Sequence, residues 1–344
     1  MPSDCCYFVV KAATADAAPA LNYFSSILHR SAVFTQNLGQ TLSIFLILIA
    51  LILVSALVSP YFLTKANFAN IGTSFSYIGT IAAGLTVVML MGGIDLSQMP
   101  SMAVSVMLLG ILSSNAGLNI WLSILIAVLA GVMAGLINGF IITRMHVIPM
   151  IATIGTQMIF RAVAYVSTNG KQIALHSKLI DTIGFGKAFG FFPVMLIISL
   201  AVFLIIGLLL KYTILGRQIY AIGSNATASY LSGIKNKRIQ MIGYIICGAT
   251  SGIAGILWAA QLSSSVATAG AGSEMTPIAA AVIGGVSLNG GKGSIVGTLL
   301  GVAVLTVLGN IMVLLQIDSY YQMMINGIIL ILAVYVDILR NKKG

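Results

Sequence analysis

The sequence predicts an all-α fold that crosses a membrane many times. Of its 344 residues, 59% are hydrophobic and only 7% are charged, whereas about 25% of the residues in a soluble domain carry charge. The mean hydropathy is +1.06. Long, uniformly apolar runs favour helices over the alternating strands of a membrane barrel, because a helix satisfies its own backbone hydrogen bonds. We therefore expect a polytopic helical membrane protein.

The first 40 residues are mixed in polarity and contain no uninterrupted apolar core. They fit neither a signal peptide nor a membrane span. We predict a cytoplasmic N-terminal extension at residues 1–40, followed by one transmembrane domain at residues 41–340.

Ten apolar segments follow in that domain. Residues 41–60 carry no charge, and twenty helical residues at about 1.5 Å each cross a core of about 30 Å. The other segments are predicted at 71–91, 98–114, 120–143, 147–168, 191–211, 239–262, 276–288, 293–316 and 320–339. Since 276–288 is too short to cross alone, we expect about ten transmembrane helices, some of them broken or re-entrant.

Positive charge in the loops predicts the orientation. One face holds twelve basic residues, namely Lys11, Arg30, Arg144, Lys211, Arg217, Lys235, Lys237, Arg238, Lys292, Arg340, Lys342 and Lys343. The opposite face holds four, namely Lys65, Lys171, Lys178 and Lys187. Both termini should therefore be cytoplasmic. The net charge of +10 follows from this topology, so we expect no nucleic-acid partner.

A single acidic residue, Asp95, lies between Lys65 and Arg144, next to Gly92 and Gly93 and two residues before Ser97. A charge in hydrocarbon costs at least about 2.5 to 3.5 kcal/mol, so it should face a partner or a water-filled path. A carboxylate offers only acceptors. Two roles stay open: organising a broken helix through backbone amides, or accepting a hydrogen bond from a ligand hydroxyl.

Four further polar residues fall in or beside predicted spans. Asn138 lies in the span 120–143, and Gln157 shares a helix face with Arg161 in the span 147–168. Such groups either join helices or line a pathway. Glu274 precedes the short segment 276–288, where it can form a polar mouth, contact another protein or contact a substrate.

A second glycine pair resembles the first. Residues 283–289, with Gly284 and Gly285, repeat the pattern of residues 91–97: apolar, two glycines, branched apolar, polar, leucine, polar. Internal repeats with broken helices are common near transporter substrate sites. The two pairs are 192 residues apart, while the glycine rows below are 162 apart, so one duplication does not explain both.

Glycines recur every four residues in two spans. One row is Gly131, Gly135 and Gly139, and the other is Gly293, Gly297 and Gly301. Such rows allow helix backbones to approach closely. We interpret them as packing surfaces, with a pore lining as the alternative.

The longest predicted cytoplasmic connection, residues 212–238, is basic and contains no acidic residue. Ser224 or Asn225 can cap a short helix at 226–232, and Gly233 can end it. Its apolar side chains predict docking into a groove of another protein. The alternative is a basic, lipid-facing loop that fixes the topology.

Signatures of catalysis are missing from the sequence. A phosphate loop needs Gly-Lys-Ser or Gly-Lys-Thr, but Lys292 is followed by Gly293. Three cysteines and three histidines are scattered without metal-ligand spacing. We therefore expect a conduit rather than an enzyme, with no metal and no cofactor.

Several motifs, taken in order, resemble the permease subunits of ribose-type ATP-binding-cassette (ABC) sugar importers. They are GGIDLS at 92–97, IPMIATIGTQMIFRAVAYVSTNG at 148–170, GRQIYAIGSN at 216–225 followed by LSGI, and AAAVIGGVSLNGGKGSIVGTLLG at 279–301. The chain departs from the usual family pattern at Gln98 and Met99, near Glu274, and at Ala226 and Thr227, where acidic residues are usual.

The resemblance implies an importer with several partners. A cytosolic ATP-binding subunit would hydrolyse ATP, a second permease subunit would complete the pathway, and an extracytoplasmic sugar-binding protein would deliver a monosaccharide. The chain would lie in the lipid of a bacterial cytoplasmic membrane. By the same resemblance, the ATPase would contact the segment that contains Arg217, Asn225, Leu231, Ser232, Gly233 and Ile234.

Two other classes of protein stay open. In a proton- or ion-coupled secondary transporter, Asp95 itself would bind the driving ion. In a passive channel, the glycine rows would line a pore. Neither needs an ATPase partner, so ATP-dependent uptake without a proton gradient distinguishes the importer from both.

Overall fold

The structure, a computed structural model, describes residues 39, 41–188, 190 and 192–342, without the side chains of residues 340–342. The predicted N-terminal extension, residues 1–40, lies outside the described residues except at position 39. Nearly all regular structure in the described part is helical, in agreement with the predicted all-α class.

The helices are α1 Thr41–Val58, α2 Lys65–Leu90, α3 Gln98–Gly110, α4 Ile120–Arg144, α5 Pro149–Val166, α6 Lys178–Phe185, α7 Val194–Tyr212, α8 Ile214–Ser224, α9 Ala226–Leu231, α10 Asn236–Leu262, α11 Thr276–Ile283, α12 Ile295–Leu314 and α13 Ser319–Lys342. A π-helical turn, Ile111–Asn115, extends α3. The strands are β1 Ile173–Ala174, β2 Lys187–Ala188, β3 Phe192–Pro193 and β4 Ser264–Ser265. The antiparallel pairs are β1 with β4 and β2 with β3.

Seven of the described helices are long and apolar enough to cross a membrane: α1, α2, α4, α7, α10, α12 and α13. The predicted class of polytopic membrane protein is confirmed, but the predicted number of ten spans is not. Of the other three predicted spans, 98–114 forms the 13-residue α3 and the π-helical turn, and 276–288 contains the 8-residue α11. The third, 147–168, forms α5, whose apolar character is lowered by Gln157 and Arg161.

Helix α2 lies at the centre of the described bundle and is the most buried of the seven candidate spans. It begins at Lys65, six residues before the predicted start, because the Thr64 hydroxyl caps it by accepting from the Asn67 amide at 3.2 Å. Asn67 also exchanges two side-chain hydrogen bonds with Asn310 of α12, at 2.9 and 2.7 Å. The central helix is thus tied to α12 by polar groups as well as by packing.

The glycine row in α4 packs directly on the backbone of α10. A Cβ atom added at Gly131 would meet the carbonyl oxygen of Gly248 and lie 2.7 Å from the nitrogen of Gly252. One added at Gly135 would meet the carbonyl oxygen of Tyr244. The packing interpretation of this row is confirmed, since no side chain fits between the two helices there.

The second glycine row packs α12 against α11, but only in part. Added Cβ atoms at Gly297 and Gly301 would meet the carbonyl oxygens of Gly284 and Ala280. Gly293, however, lies before α12, because Ser294 caps that helix by accepting from the Gly297 amide at 3.0 Å. The helical packing surface therefore consists of two of the three predicted glycines.

Candidate functional site

The predicted break after α2 is a glycine-capped helix end. Gly92 has a φ of +78°. Its amide donates to the Met89 carbonyl at 2.9 Å, and the Gly93 amide donates to the Val88 carbonyl at 3.0 Å. This is the Schellman pattern, which requires a left-handed residue just past the helix. Gly93 is also crowded, because an added Cβ would lie 2.7 Å from the Tyr244 hydroxyl oxygen.

Asp95 lies in the seven-residue connection that follows and is 4% exposed. Its Oδ1 accepts from the Ser97 backbone amide at 2.9 Å and from the Ser97 hydroxyl at 2.7 Å. Asn138 of α4 donates to the Ser97 hydroxyl oxygen at 2.7 Å and lies 3.5 Å from both carboxylate oxygens. These contacts favour the organising role of Asp95, since they shape the turn into α3 and tie it to α4.

Three further side chains complete this group, which we call the Asp95 cluster: Asp95, Ser97, Gln98, Asn138, Tyr244 and Cys247. The Gln98 amide donates to the Cys247 sulfur, and that sulfur lies 3.6 Å from Asp95 Oδ2. Tyr244 and Cys247 both come from the apolar helix α10 and are buried. Sequence reasoning assigned no role to Tyr244 or Cys247, because only the packing of α10 brings them near Asp95.

The Asp95 cluster contains buried polar atoms whose hydrogen-bonding capacity is unused. The buried oxygens Asn138 Oδ1, Gln98 Oε1 and Tyr244 Oη find no hydrogen-bond partner among the described residues. Two of these are pure acceptors, and Asp95 Oδ2 receives only long contacts. A group of this composition suits a species rich in hydrogen-bond donors, such as water or a hydroxylated solute.

The second predicted break ends in the same Schellman cap. Its left-handed glycine lies one residue later than the match between residues 91–97 and 283–289 suggested. Gly285, with a φ of +86°, donates to the Val282 carbonyl at 2.9 Å, and Val286 donates to the Ala281 carbonyl at 3.0 Å. Gly92 therefore corresponds in its role to Gly285. The predicted pairing of Gly92 with Gly284 was wrong, because Gly284 is the C-cap residue that precedes the left-handed position.

The two breaks meet the end of α8 at a backbone contact, which we call the glycine joint: Gly92, Gly223, Gly290 and Gly291. The Gly291 amide donates to the carbonyl oxygen of Leu90 at 2.9 Å. A Cβ added at Gly290 would lie 2.6 Å from the Gly92 nitrogen, and one at Gly223 would meet the Leu90 oxygen. Only glycines allow these three chain segments to touch.

A second polar group joins α5 to the segment before α11. Arg161 Nη2 lies 3.2 Å from Glu274 Oε1, and Arg161 Nη1 donates to the carbonyls of Ala267 at 3.1 Å and Ala269 at 2.8 Å. Gln157, one turn earlier on α5, is partly buried. None of the hydrogen bonds found among the described residues joins Arg161 or Glu274 to Asp95, so this group is separate from the Asp95 cluster.

The predicted short helix in the connection 212–238 is present as α9. Asn225 caps it by accepting from the Ala228 amide at 2.9 Å. Gly233, with a φ of +83°, ends it: its amide donates to the Tyr230 carbonyl at 3.0 Å, and the Ile234 amide donates to the Ser229 carbonyl at 3.1 Å. The capping predictions for Asn225 and Gly233 are thus confirmed.

Helix α8 was not predicted, and it connects α9 to the core. Ile219 and Ile222 are buried in the same apolar cluster as Leu90. The Tyr220 hydroxyl donates to the Gly293 carbonyl at 3.0 Å, and burial raises the pKa of Tyr220, so it remains a donor at neutral pH. One face of α8 is therefore fixed to the end of α2.

Helix α9, in contrast, presents its side chains outward. Tyr230 and Leu231 are 70% and 79% exposed, and Arg217, Ser232 and Gly233 are exposed as well. The helix is held by Asn236 of α10, which donates to the Ala226 carbonyl at 2.7 Å and accepts from the Ser229 hydroxyl at 3.1 Å. Two apolar side chains thus stand on a well-supported, basic surface.

The described part of the chain contains no group of three or more histidine, cysteine, aspartate or glutamate residues that could hold a metal ion.

Comparisons with known proteins agree on one family. The family described as "Branched-chain amino acid transport system / permease component" matches residues 67–334. The ribose import permease protein RbsC of Bacillus subtilis is 39% identical over 306 residues, which cover 88% of this chain and 92% of that protein. RbsC of Escherichia coli strain K12 is 39% identical over 302 residues, covering 86% and 92%.

Other sugar permeases match as well. The L-arabinose transport system permease protein AraH of Escherichia coli is 34% identical over 292 residues, or 85% of this chain and 88% of that protein. No solved structure gives a significant match. The extent and identity of these matches confirm the resemblance drawn from the motifs. The chain belongs to the family of branched-chain amino acid transport system permease components, together with ribose and L-arabinose permeases.

Proposed function

We propose that this chain is the membrane subunit of an ABC importer and moves a monosaccharide across the bacterial cytoplasmic membrane by alternating access. It is not itself the ATPase, and hydrolysis belongs to a separate subunit. The observation that carries the proposal is the glycine joint, which connects the exposed α8–α9 unit to the helix break beside Asp95. A partner that moves α9 would thereby act on the centre of the bundle.

The cytosolic ATP-binding subunit would dock on α9. Tyr230 and Leu231 supply two exposed apolar anchors of the kind that fill a groove. Arg217 and the basic residues that follow α9 flank them in the sequence, in a connection without acidic residues. We infer that the groove of the ATPase is apolar at its floor and acidic at its rim.

A second permease subunit, identical or related, would complete the pathway. Helix α13 offers a large surface for it, since its candidate span is entirely unburied in the single chain. An extracytoplasmic sugar-binding protein would deliver the solute at the mouth near Glu274. Lipid would cover the remaining apolar surface, and both termini would be cytoplasmic, as the distribution of lysine and arginine predicts.

The predicted pathway residues fall into two groups, which we call the outer and the inner station of the proposed solute pathway. Glu274 and Gln157 belong to the outer station, where the ion pair of Arg161 with Glu274 orders the segment before α11. The inner station is at the two breaks, marked by Gly92, Gly93, Gly284 and Gly285, with Asp95, Ser97 and Asn138 beside them. The unpaired acceptors there match the hydroxyl donors of a sugar.

Movement between two states would follow from the rigid connection of these parts. ATP-driven closure of the partner would displace α9, and α8 would carry the displacement to Leu90 and Gly92 at the end of α2. Because the contact involves closely packed backbone, it can shift between discrete arrangements but cannot stretch. The two breaks would then open the pathway to alternate sides.

The test is uptake by vesicles that contain the chain, its ATP-binding subunit and its binding protein. We expect uptake of a labelled pentose or hexose that requires internal ATP and persists when an ionophore removes the proton gradient. Uptake that needs the gradient and proceeds without the ATP-binding subunit would show a secondary transporter instead. Uptake that needs neither energy source would show a channel.

A further inference from the structure

An apolar groove of about 700 Å³ lies between α7 and α12, near α8. Its volume falls within the range of about 300 to 1,000 Å³ that is usual for small-ligand sites. Phe203, Leu204 and Leu299 belong to its apolar walls, while Lys211, Tyr212 and Ser294 stand at one end. The groove thus combines a long apolar trough with a polar, cationic end.

The space exists partly because position 207 is glycine. A Cβ atom there would lie 3.2 Å from Ile295 Cγ2 across the groove, so a larger side chain would fill the space. The surrounding wall faces outward, since Leu204 is 63% exposed in the described chain. The groove is therefore open toward the surface that the membrane would cover.

The cation at its end has no acidic partner among the described residues. Lys211 is exposed, and its Nζ lies 5.2 Å from the centroid of the Tyr212 ring. No carboxylate among the described residues lies within 4 Å of it. The connection that follows, residues 212–238, contains no acidic residue either. Within the described part of the chain no acidic side chain pairs with this lysine, so its charge suits an anionic ligand.

The length of the groove fits a lipid chain. The lining residues of α7 run from Leu200 to Lys211, which is about 16 Å along a helix at about 1.5 Å per residue. One leaflet of the hydrocarbon core, half of about 30 Å, has nearly the same depth. A free anion would match Lys211 but would leave the apolar trough unfilled.

We propose that this groove binds one anionic phospholipid, with its phosphate at Lys211 and an acyl chain along Phe203, Gly207 and Leu299. Tyr220 also lines the groove, and its hydroxyl donates to the Gly293 carbonyl next to the glycine joint. A bound lipid would therefore contact α8 at Tyr220, close to the glycine joint. Only this consequence for coupling rests on the proposed function; the binding site does not.

Lipid retention by the purified chain tests the site directly. Phosphatidylglycerol and phosphatidylcholine with identical acyl chains are each added to the chain in detergent, and native mass spectrometry counts the lipids that stay bound. We expect one phosphatidylglycerol to be retained in preference to phosphatidylcholine. Lys211→Gln should weaken that preference about fivefold, the usual contribution of one lysine near an anionic lipid. Gly207→Leu should abolish retention of this one lipid, while Gly207→Ala should retain it in part.

Lys178→Gln is the matched control, because Lys178 is an exposed lysine at the start of α6 and does not line the groove. It should leave retention unchanged. Equal retention of the two lipids, or equal effects of Lys211→Gln and Lys178→Gln, would overturn the proposal. Displacement of the bound phosphatidylglycerol by millimolar inorganic phosphate would also overturn it, since that would mean that only the charge is recognised. Transport plays no part in this readout, so its result is independent of the proposed importer function.

Discussion

The carbonyl oxygen of Leu90 occupies the space that a side chain at Gly223 would need. That oxygen also accepts a hydrogen bond from the Gly291 amide at 2.9 Å. One backbone atom at the end of the central helix therefore contacts both helix α8 and the loop after the second break.

Gly223→Ala should separate α8 from the end of α2, because even one methyl group would collide with Leu90. We expect ATP-dependent uptake to fall at least about tenfold, the usual result of a small displacement in a site that depends on geometry. Gly309→Ala is the matched control, since a Cβ there meets nothing within 4 Å. Both variants should run as single species in gel filtration. Equal uptake by the two would remove the glycine joint from the mechanism.

Gly233 tests the α9 cap through backbone strain alone. An added Cβ meets nothing within 4 Å, but the φ of +83° disfavours side chains. Gly233→Val should therefore cost about 1 to 2 kcal/mol in the α9 turn and uncouple ATP hydrolysis from uptake in vesicles. Asn tolerates this conformation better, so Gly233→Asn should retain most coupling. Normal uptake with Gly233→Val would refute the assignment of α9 as the coupling helix.

Asp95→Asn should impair uptake more than Asp181→Asn. The amide can still accept from Ser97, but it adds a donor where Asp95 Oδ2 provides an acceptor. Asp181 is exposed and accepts from the Ser263 hydroxyl at 3.1 Å, so its replacement should have little effect. Initial rates of uptake of a labelled sugar, normalised to membrane-inserted protein, measure the difference. Equal, unimpaired rates would show that Asp95 has no special role.

Arg161→Met should destabilise the segment before α11, because it leaves Glu274 unpaired and two carbonyls without their donor. Hydrogen bonds to a charged group contribute about 1.5 to 3 kcal/mol. We expect a lower melting temperature in detergent, measured by tryptophan fluorescence. Adding Glu274→Gln should restore part of the loss. If the two changes are instead additive, the ion pair itself does not stabilise the protein.

Much of the architecture could be predicted because the length of an apolar run and the position of a glycine are visible in a short stretch of sequence. The break at Gly92, the cap at Asn225 and the end of α9 at Gly233 each depend on a few neighbouring residues. Close packing of α4 through Gly131 and Gly135 was likewise predicted from a four-residue spacing.

The features that could not be predicted from the sequence depend on contacts between segments far apart in the chain. Tyr244 and Cys247 belong to the Asp95 cluster only because α10 packs against α4 and α2. Helix α8 was missed because it lies in a stretch that the basic charges marked as a loop, although Ile219 and Ile222 recur at a helical spacing and are buried. Gly284 was paired with Gly92 because sequence patterns do not reveal which glycine has a positive φ.

The glycine joint consists of main-chain atoms, whereas α9 meets its surroundings through the side chains of Tyr230 and Leu231. If the proposed function holds, recognition of the ATP-binding subunit rests on the side chains of α9, and transmission of its movement rests on the main chain of the glycine joint. Exchanging the outward residues of α9 for those of another transporter should allow the chain to bind that transporter's ATP-binding subunit. The glycine joint would not need to change. In this architecture, the outward side chains of α9 can change during evolution while the glycine joint stays the same.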